Sequence, residues 1–359
     1  MRLELHKRQE HSELMSLLSP VIAIGLTLFF GAILFSMLGL NPARALYVYF
    51  IEPLTQSWSL QELLVKASPL VLIGVGLAIC FQSNTWNIGA EGQFTMGAVV
   101  GSICPIMFHT WQSPLTLPVM LLMGALGGAL FAAIPALLKV RFGANEILTS
   151  LMLVYVAQLF LDWLVRGIWR DPEGYNFPES RLFHDDALIA SIGSGRLHYG
   201  VFIALIAVIA LAFMLGKMLK GFEIRVLGQA PRAGAFAGFS QKKMIIFAFM
   251  MSGALAGLAG IIEVAGPIQQ LRPVISPGYG FTAIIVAFLG RLNPIGILIA
   301  GLLLALSYLG GEAAQITLGI SDKITRVFQG MLLFFVLACD TLILYRIRLV
   351  GNSTKAGGA

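Results

Sequence analysis

The sequence predicts an all-α membrane protein: a polytopic bundle of about ten transmembrane helices, some of them broken or short. Three observations predict it. Hydrophobic residues fill 57% of the 359 positions and charged residues only 12%, about half the charged share of a soluble globular chain. At about 20 residues per crossing, roughly 205 apolar residues fill about ten helices and leave little for a separate soluble domain. The apolar residues also run continuously, which excludes the alternating inward and outward pattern of a β-barrel.

The charge and the cysteines narrow the class further. The net charge is +6, yet Lys and Arg sit at the ends of apolar runs rather than in a dense patch. That distribution argues against a nucleic-acid partner and reports orientation in the lipid bilayer. Cys80, Cys104 and Cys339 each stand alone in or beside an apolar run, without the spacing of a disulfide framework or metal site, and read as buried thiols. There is no phosphate-binding loop, nucleophile elbow, His-Glu-x-x-His pair or dinucleotide fingerprint. The chain therefore reads as non-catalytic, with no metal and no cofactor of its own.

In chain order, residues 1–14 form a charged N-terminal segment, and the apolar run after it is too long for a signal-peptide core. That run, residues 15–38, is the first span, closed by Gly39 and Asn41-Pro42. Further runs lie at 63–81, 87–108, 115–138, 146–165, 199–219, 243–265, 278–290, 294–310 and 324–344. The run from Gly278 to Gly290 is too short to cross and reads as a half-span or part of a broken helix. With a cytoplasmic N-terminus and ten alternating segments, fifteen Lys and Arg fall inside and nine outside. Both termini are then cytoplasmic, residues 346–359 are a tail, and 15–345 is the transmembrane domain.

Two connections exceed simple turns. The external one, 167–198, carries Trp169, Tyr175, Phe177, Leu182 and Phe183 among acids, prolines and glycines. Such side chains are costly in water, which favours a lid or a partner surface over a solvated connector. In the cytoplasmic one, 217–243, Phe222, Val226 and Phe236 interleave with charges, and Gly228 and Pro231 mark a bend. This suits a short helix docking on a soluble partner; a helix resting on lipid headgroups is the alternative.

The most informative stretch is the polar break from Phe81 to Gln93. Unwound backbone at membrane depth survives only against protein or a water-filled cavity, and Gly89 and Gly92 suit a bend. An intramembrane Glu91 would cost about 2.5 to 3.5 kcal/mol on insertion scales, so a role is expected of it. Asn84, Asn87, Glu91 and Gln93 can hydrogen-bond a polar solute, and Trp86 and Phe94 can stack on a ring. The plain alternative is a tight turn in which Glu91 caps a helix. Asn145-Glu146 opens the fifth span, where capping and a place on the solute path are both open readings. Gln93-Phe94-Thr95 echoes Gly280-Phe281-Thr282 on a segment running the other way, as an inverted repeat with broken helices would show. Gly97-x-x-x-Gly101, Gly124-x-x-x-Gly128 and Gly253-x-x-x-Gly257 predict close helix crossings.

Together these stretches resemble the permease subunit of bacterial ATP-binding-cassette importers, in the branch of ribose-type sugar and branched-chain amino-acid permeases. The likeness covers about residues 60–345 and is strongest to nucleoside permeases. Asn87-Ile88-Gly89-Ala90-Glu91-Gly92-Gln93 is similar to the family's Asn-Ile-Gly-x-Glu-Gly-Gln signature. Ala144-Asn145-Glu146-Ile147, followed by Thr149 and Met152, resembles its next segment. Gly221, Arg225, Gly228 and Gly238 fit the loop that docks on the ATPase, although Gln229-Ala230-Pro231-Arg232 departs from the usual pattern. The external stretches Asn176-Phe177-Pro178-Glu179-Ser180 and Arg196-Leu197-His198-Tyr199-Gly200 resemble the nucleoside branch.

The resemblance implies an inner-membrane importer subunit for nucleosides, with simple sugars as the alternative solute. It implies an ATPase partner carrying ATP and Mg, a second permease of the same or a homologous sequence, and an extracytoplasmic solute-binding protein. An ATP-independent facilitator is the reading from another class, and an intramembrane enzyme is disfavoured by the missing motifs.

Overall fold

The computed structural model describes residues 2–7, 13–193, 195–321 and 323–350. Each of the ten apolar runs contains helix. Strand β1 (Arg2–Lys7) precedes α1 (Glu13–Met37), α2 (Pro42–Phe50), α3 (Ser57–Gln82), α4 (Ala90–Gly101), α5 (Ile103–Met107), α6 (Thr116–Phe142) and α7 (Glu146–Arg166). The chain continues through α8 (Gly200–Lys217), α9 (Leu219–Gln229), α10 (Pro231–Phe236), α11 (Gln241–Glu263), α12 (Tyr279–Leu289), α13 (Pro294–Leu318), α14 (Lys323–Leu344) and strand β2 (Tyr345–Val350).

Among the described residues, seven helical segments are long and apolar enough to cross a membrane, which supports the polytopic bundle and does not confirm the count of ten. The run 87–108 is no continuous span: residues 83–89 are not helical, and the helix after them divides into pieces of 12 and 5 residues. The run 278–290 yields only the 11 residues of α12.

Local chemistry fixes several boundaries. Asn41 accepts from the N–H groups of Ala43 and Arg44 and Pro42 opens α2, so the fixed proline φ and the cap act together. Asn145 caps α7 and Ser240 caps α11 in the same way. Gly143, at φ 67°, ends α6 in the left-handed conformation that glycine adopts without strain.

The chain divides into two compact units. In the unit of residues 1–52 and 310–359, Phe328 packs against Phe35 and stacks on Tyr49, with centroids 5.3 and 4.9 Å away. The terminal strands β1 and β2 pair antiparallel, from Arg2 with Val350 to Lys7 with Tyr345. No strand was expected there, and the remainder of the predicted tail, 351–359, lies outside the described residues.

The unit of residues 53–309 is built around α3, buried over 83% of its apolar window. Beside it α4, α6 and α11 cross at the predicted glycines. A Cβ on Gly97 would overlap the backbone of Gly257, and one on Gly128 would overlap the carbonyl of Gly253. Backbone meets backbone here, which only residues without side chains permit. All three cysteines are buried and none is in a disulfide, as their sequence context suggests.

Candidate functional site

Two half-helices meet end to end. The segment 83–89 returns from the end of α3, where the Gln82 amide donates to Leu292 O (2.7 Å) in the turn between α12 and α13. It then feeds α4. From the opposite direction, the non-helical stretch 269–278 feeds α12. Eleven residues at about 1.5 Å each make α12 about 16 Å long, close to half the hydrocarbon thickness of about 30 Å. The N-termini of α4 and α12 meet at this contact, and neither helix is long enough to cross alone.

Glu91 makes the joint. Its Oε2 accepts from the Gly280 N–H at 2.6 Å. Ser276, which accepts from the N–H groups of Gly278 and Tyr279 at 3.0 and 2.9 Å, also hydrogen-bonds the carboxylate. Glu91 is thus a cap, as the plain reading had it, but of a helix 189 residues away. It lies in the first turn of α4 and at the start of α12, so two positive helix ends face one carboxylate. That accounts for a carboxylate only 2% exposed whose partners are N–H and O–H groups. A Cβ on Gly280 would overlap the backbone of Glu91, so the contact requires glycine there.

Asn87 and Gln93 hold the bend. Their amides exchange two hydrogen bonds of 2.9 Å, Asn87 donates further to Ser252 Oγ (3.1 Å), and Asn87 Oδ1 accepts from the Gly89 N–H (3.0 Å). Both are buried, so in this conformation their amides face each other and α11 rather than a solute. Phe94 is fully buried and meets the edge of Tyr279. Asn84, at φ 55°, is exposed. Trp86 is 39% exposed, stacks on Phe288 and lies tilted against Phe81.

Helix α7 runs beside the bend. Trp86 N–H donates weakly to Glu146 Oε1 (3.5 Å), Ile88 N–H to Ser150 Oγ (3.2 Å), and a Cβ on Gly92 would come 2.9 Å from Val154 Cα. Asn145 accepts from Ile147 and Leu148 N–H groups as a helix cap, and Glu146 pairs with Lys139. The sequence missed the opposite face of α7, where Tyr155 and Gln158 are exposed at helical spacing in mid-span. Gln158 in an apolar run was the available signal.

The loop 217–243 folds as an elbow, α9 then α10, with Pro231 opening the second arm. The four residues picked out there build the elbow. Arg225 Nη1 donates to Leu215 O (2.6 Å) at the end of α8, and a Cβ on Gly221 would overlap that same carbonyl. A Cβ on Gly228 would overlap Gln82 O at the end of α3. Gly238 takes φ 83°. The outward surface is carried by their neighbours, above all Phe236 at 95% exposure.

The loop 167–198 is strapped along the non-helical stretch. Ser180, Phe183 and Ile189 N–H groups donate to the carbonyls of Leu271, Gln269 and Ala265 at 3.0, 3.0 and 2.9 Å. Phe183 is buried, whereas Tyr175, Phe177 and Leu182 are exposed. At its end His198 is buried and accepts the Gly200 N–H on Nδ1 (3.1 Å). Burial, assisted by the Arg196 charge, lowers its pKa to about 4.

Comparison with known proteins adds to this geometry. Residues 59–337 match the family model described as branched-chain amino acid transport system / permease component. The glucose ABC transporter permease TsgB13 of Haloferax volcanii is 33% identical over 353 residues, covering 94% of this chain and 92% of that protein. The guanosine ABC transporter permease NupP of Bacillus subtilis is 29% identical, covering 96% and 98%. The nucleoside ABC transporter permease NupB of Lactococcus lactis is also 29% identical, covering 89% and 90%. With a match across more than half its length, seven apolar spans and a broken-helix core, the chain belongs to the branched-chain amino acid transport system permease family and is a multi-pass membrane transport subunit.

Proposed function

We propose that this chain forms the translocation path of an ATP-driven importer for nucleosides or related small solutes. The observation that carries the reading is similarity over nearly the whole chain to nucleoside and glucose permeases. ATP and Mg belong to a separate ATPase. That partner docks on the α9–α10 elbow at Phe236, with Gly221, Arg225, Gly228 and Gly238 shaping the surface. The termini are cytoplasmic, and a solute-binding protein meets the exposed Tyr175, Phe177 and Leu182 outside.

A second permease, homologous or identical, faces α7. Polar side chains on a lipid-facing helix are costly, so Tyr155 and Gln158 favour a protein-lined aqueous path. The path passes the bend through Asn84, Trp86, Asn87, Glu91, Gln93 and Phe94 and the start of α7 at Asn145 and Glu146. Closure of the ATPase pair moves the elbow, which bears on Gln82 through Gly228. Gln82 in turn holds the turn after α12. Motion thus reaches the Glu91 joint and shifts the balance between outward- and inward-open states.

The test is uptake by proteoliposomes holding the full assembly. Labelled nucleoside should accumulate only with ATP. Preference for labelled glucose would instead favour the simple-sugar reading, which the Haloferax relative supports, and accumulation without ATP would identify a facilitator.

A further inference from the structure

A cavity of about 360 Å³, within the size range of small-ligand sites, lies between the loop 167–198 and the outer end of α11. Its polar lining includes Asp185, Ser191, Arg196, His198 and Gln269. Helix α11 does not end normally there. A π-helical turn, Val264–Ile268, follows Glu263 and closes at Gln269 in the left-handed conformation. Such turns recur at functional sites.

His198 supplies the second observation. It is 2% exposed, and its Nδ1 accepts the Gly200 N–H, so the ring proton sits on Nε2. Nε2 is buried with no hydrogen-bond partner among the described residues. The ring lies against Gly266 in the cavity wall, where a Cβ would come 3.0 Å from Nε2. A buried donor left without an acceptor is costly unless a ligand supplies one.

The lining chemistry is specific. A carboxylate, a guanidinium, an amide, a hydroxyl and an imidazole N–H offer donors and acceptors in close array, as adjacent hydroxyls of a sugar ring require. Among the described lining residues there is no Phe, Tyr or Trp to offer a broad apolar face to a nucleobase.

We infer that this cavity receives the sugar ring of the incoming solute before translocation, gripping its hydroxyls through Asp185, Arg196, His198 and Gln269. The inference rests on the importer reading and deepens it, because a sugar ring is the portion that nucleosides and simple sugars share.

Ligand-observed NMR on the purified full-length chain tests binding directly, with D-ribose, a nucleoside and the free nucleobase. Ribose and the nucleoside should bind and the free base should not. Asp185→Asn and His198→Asn should each weaken binding about tenfold, as loss of one well-placed hydrogen bond does. His198→Asn retains an acceptor for Gly200 and so keeps the cap of α8. Equal binding of the free base, absent binding of ribose, or unchanged affinity in both variants would overturn the inference. Uptake by the full assembly separates the two levels. Wild-type uptake that Asp185→Asn leaves unaltered at low solute concentration removes the cavity and keeps the importer. Failure of wild-type uptake while ribose binds in NMR removes the importer.

Discussion

Glu91 shows how one carboxylate can be kept at membrane depth. Two helix N-termini and the Ser276 hydroxyl satisfy it, so its removal should cost more than its charge. Glu91→Ala leaves the Gly280 N–H buried without an acceptor and should destabilise the chain by about 1 to 3 kcal/mol, read as a lower melting temperature in detergent. Glu91→Gln, which retains an acceptor oxygen, should lose less. His198 carries the pH dependence. Its folded pKa of about 4 lies below the ordinary value of 6.5, so between those values the unfolded chain binds more protons than the folded one. Stability therefore falls as pH drops from about 6.5 towards 4 and is unaffected above that window. Melting followed from pH 7.5 to pH 5 should decline in the wild type and less steeply in His198→Asn. The sequence marks Glu91 as out of place among apolar neighbours, but its partner lies 189 residues away and no local pattern names it.

The elements show what the motifs do in the fold. The small-residue spacings of α4, α6 and α11 announce close crossings, and the backbones do meet at Gly97, Gly128 and Gly257. Gly257→Leu should force α6 from α11, and overpacking of this kind costs about 1 to 3 kcal/mol or more; loss of monodisperse protein on size-exclusion chromatography would report it. The glycines of the elbow serve packing for the same physical reason. Gly221 and Gly228 permit close approach to α8 and α3, and a glycine needed for packing looks in sequence like one needed for a partner. Phe236, 95% exposed, is the elbow side chain offered outward. Phe236→Ala should leave melting unchanged and reduce co-purification of the ATPase about tenfold or more, as for a buried aromatic anchor. The breaks at 83–89 and before α12 were legible because polar and glycine-rich stretches interrupt apolar runs. Their opposed directions emerge only when both half-helices are placed.

At the scale of the molecule, the chain supplies membrane spans, a broken-helix joint and an elbow, and its motif inventory lacks a nucleotide-binding loop. Composition alone announced the membrane bundle. Seven of the expected crossings are long apolar helices among the described residues, and apolar length alone does not reveal where the others break against protein. Gln158 is exposed in mid-span on α7, where the proposed path and second permease lie; Gln158→Leu should leave insertion intact while altering uptake, measured as a changed KM for labelled nucleoside. The account stands on the Glu91 joint as the moving part between the elbow and the path. The most direct test compares ATP-driven nucleoside uptake by assemblies carrying wild-type, Glu91→Gln and Glu91→Ala chains at equal membrane incorporation. The account predicts substantial uptake for Glu91→Gln and collapse for Glu91→Ala; full uptake by Glu91→Ala would contradict it.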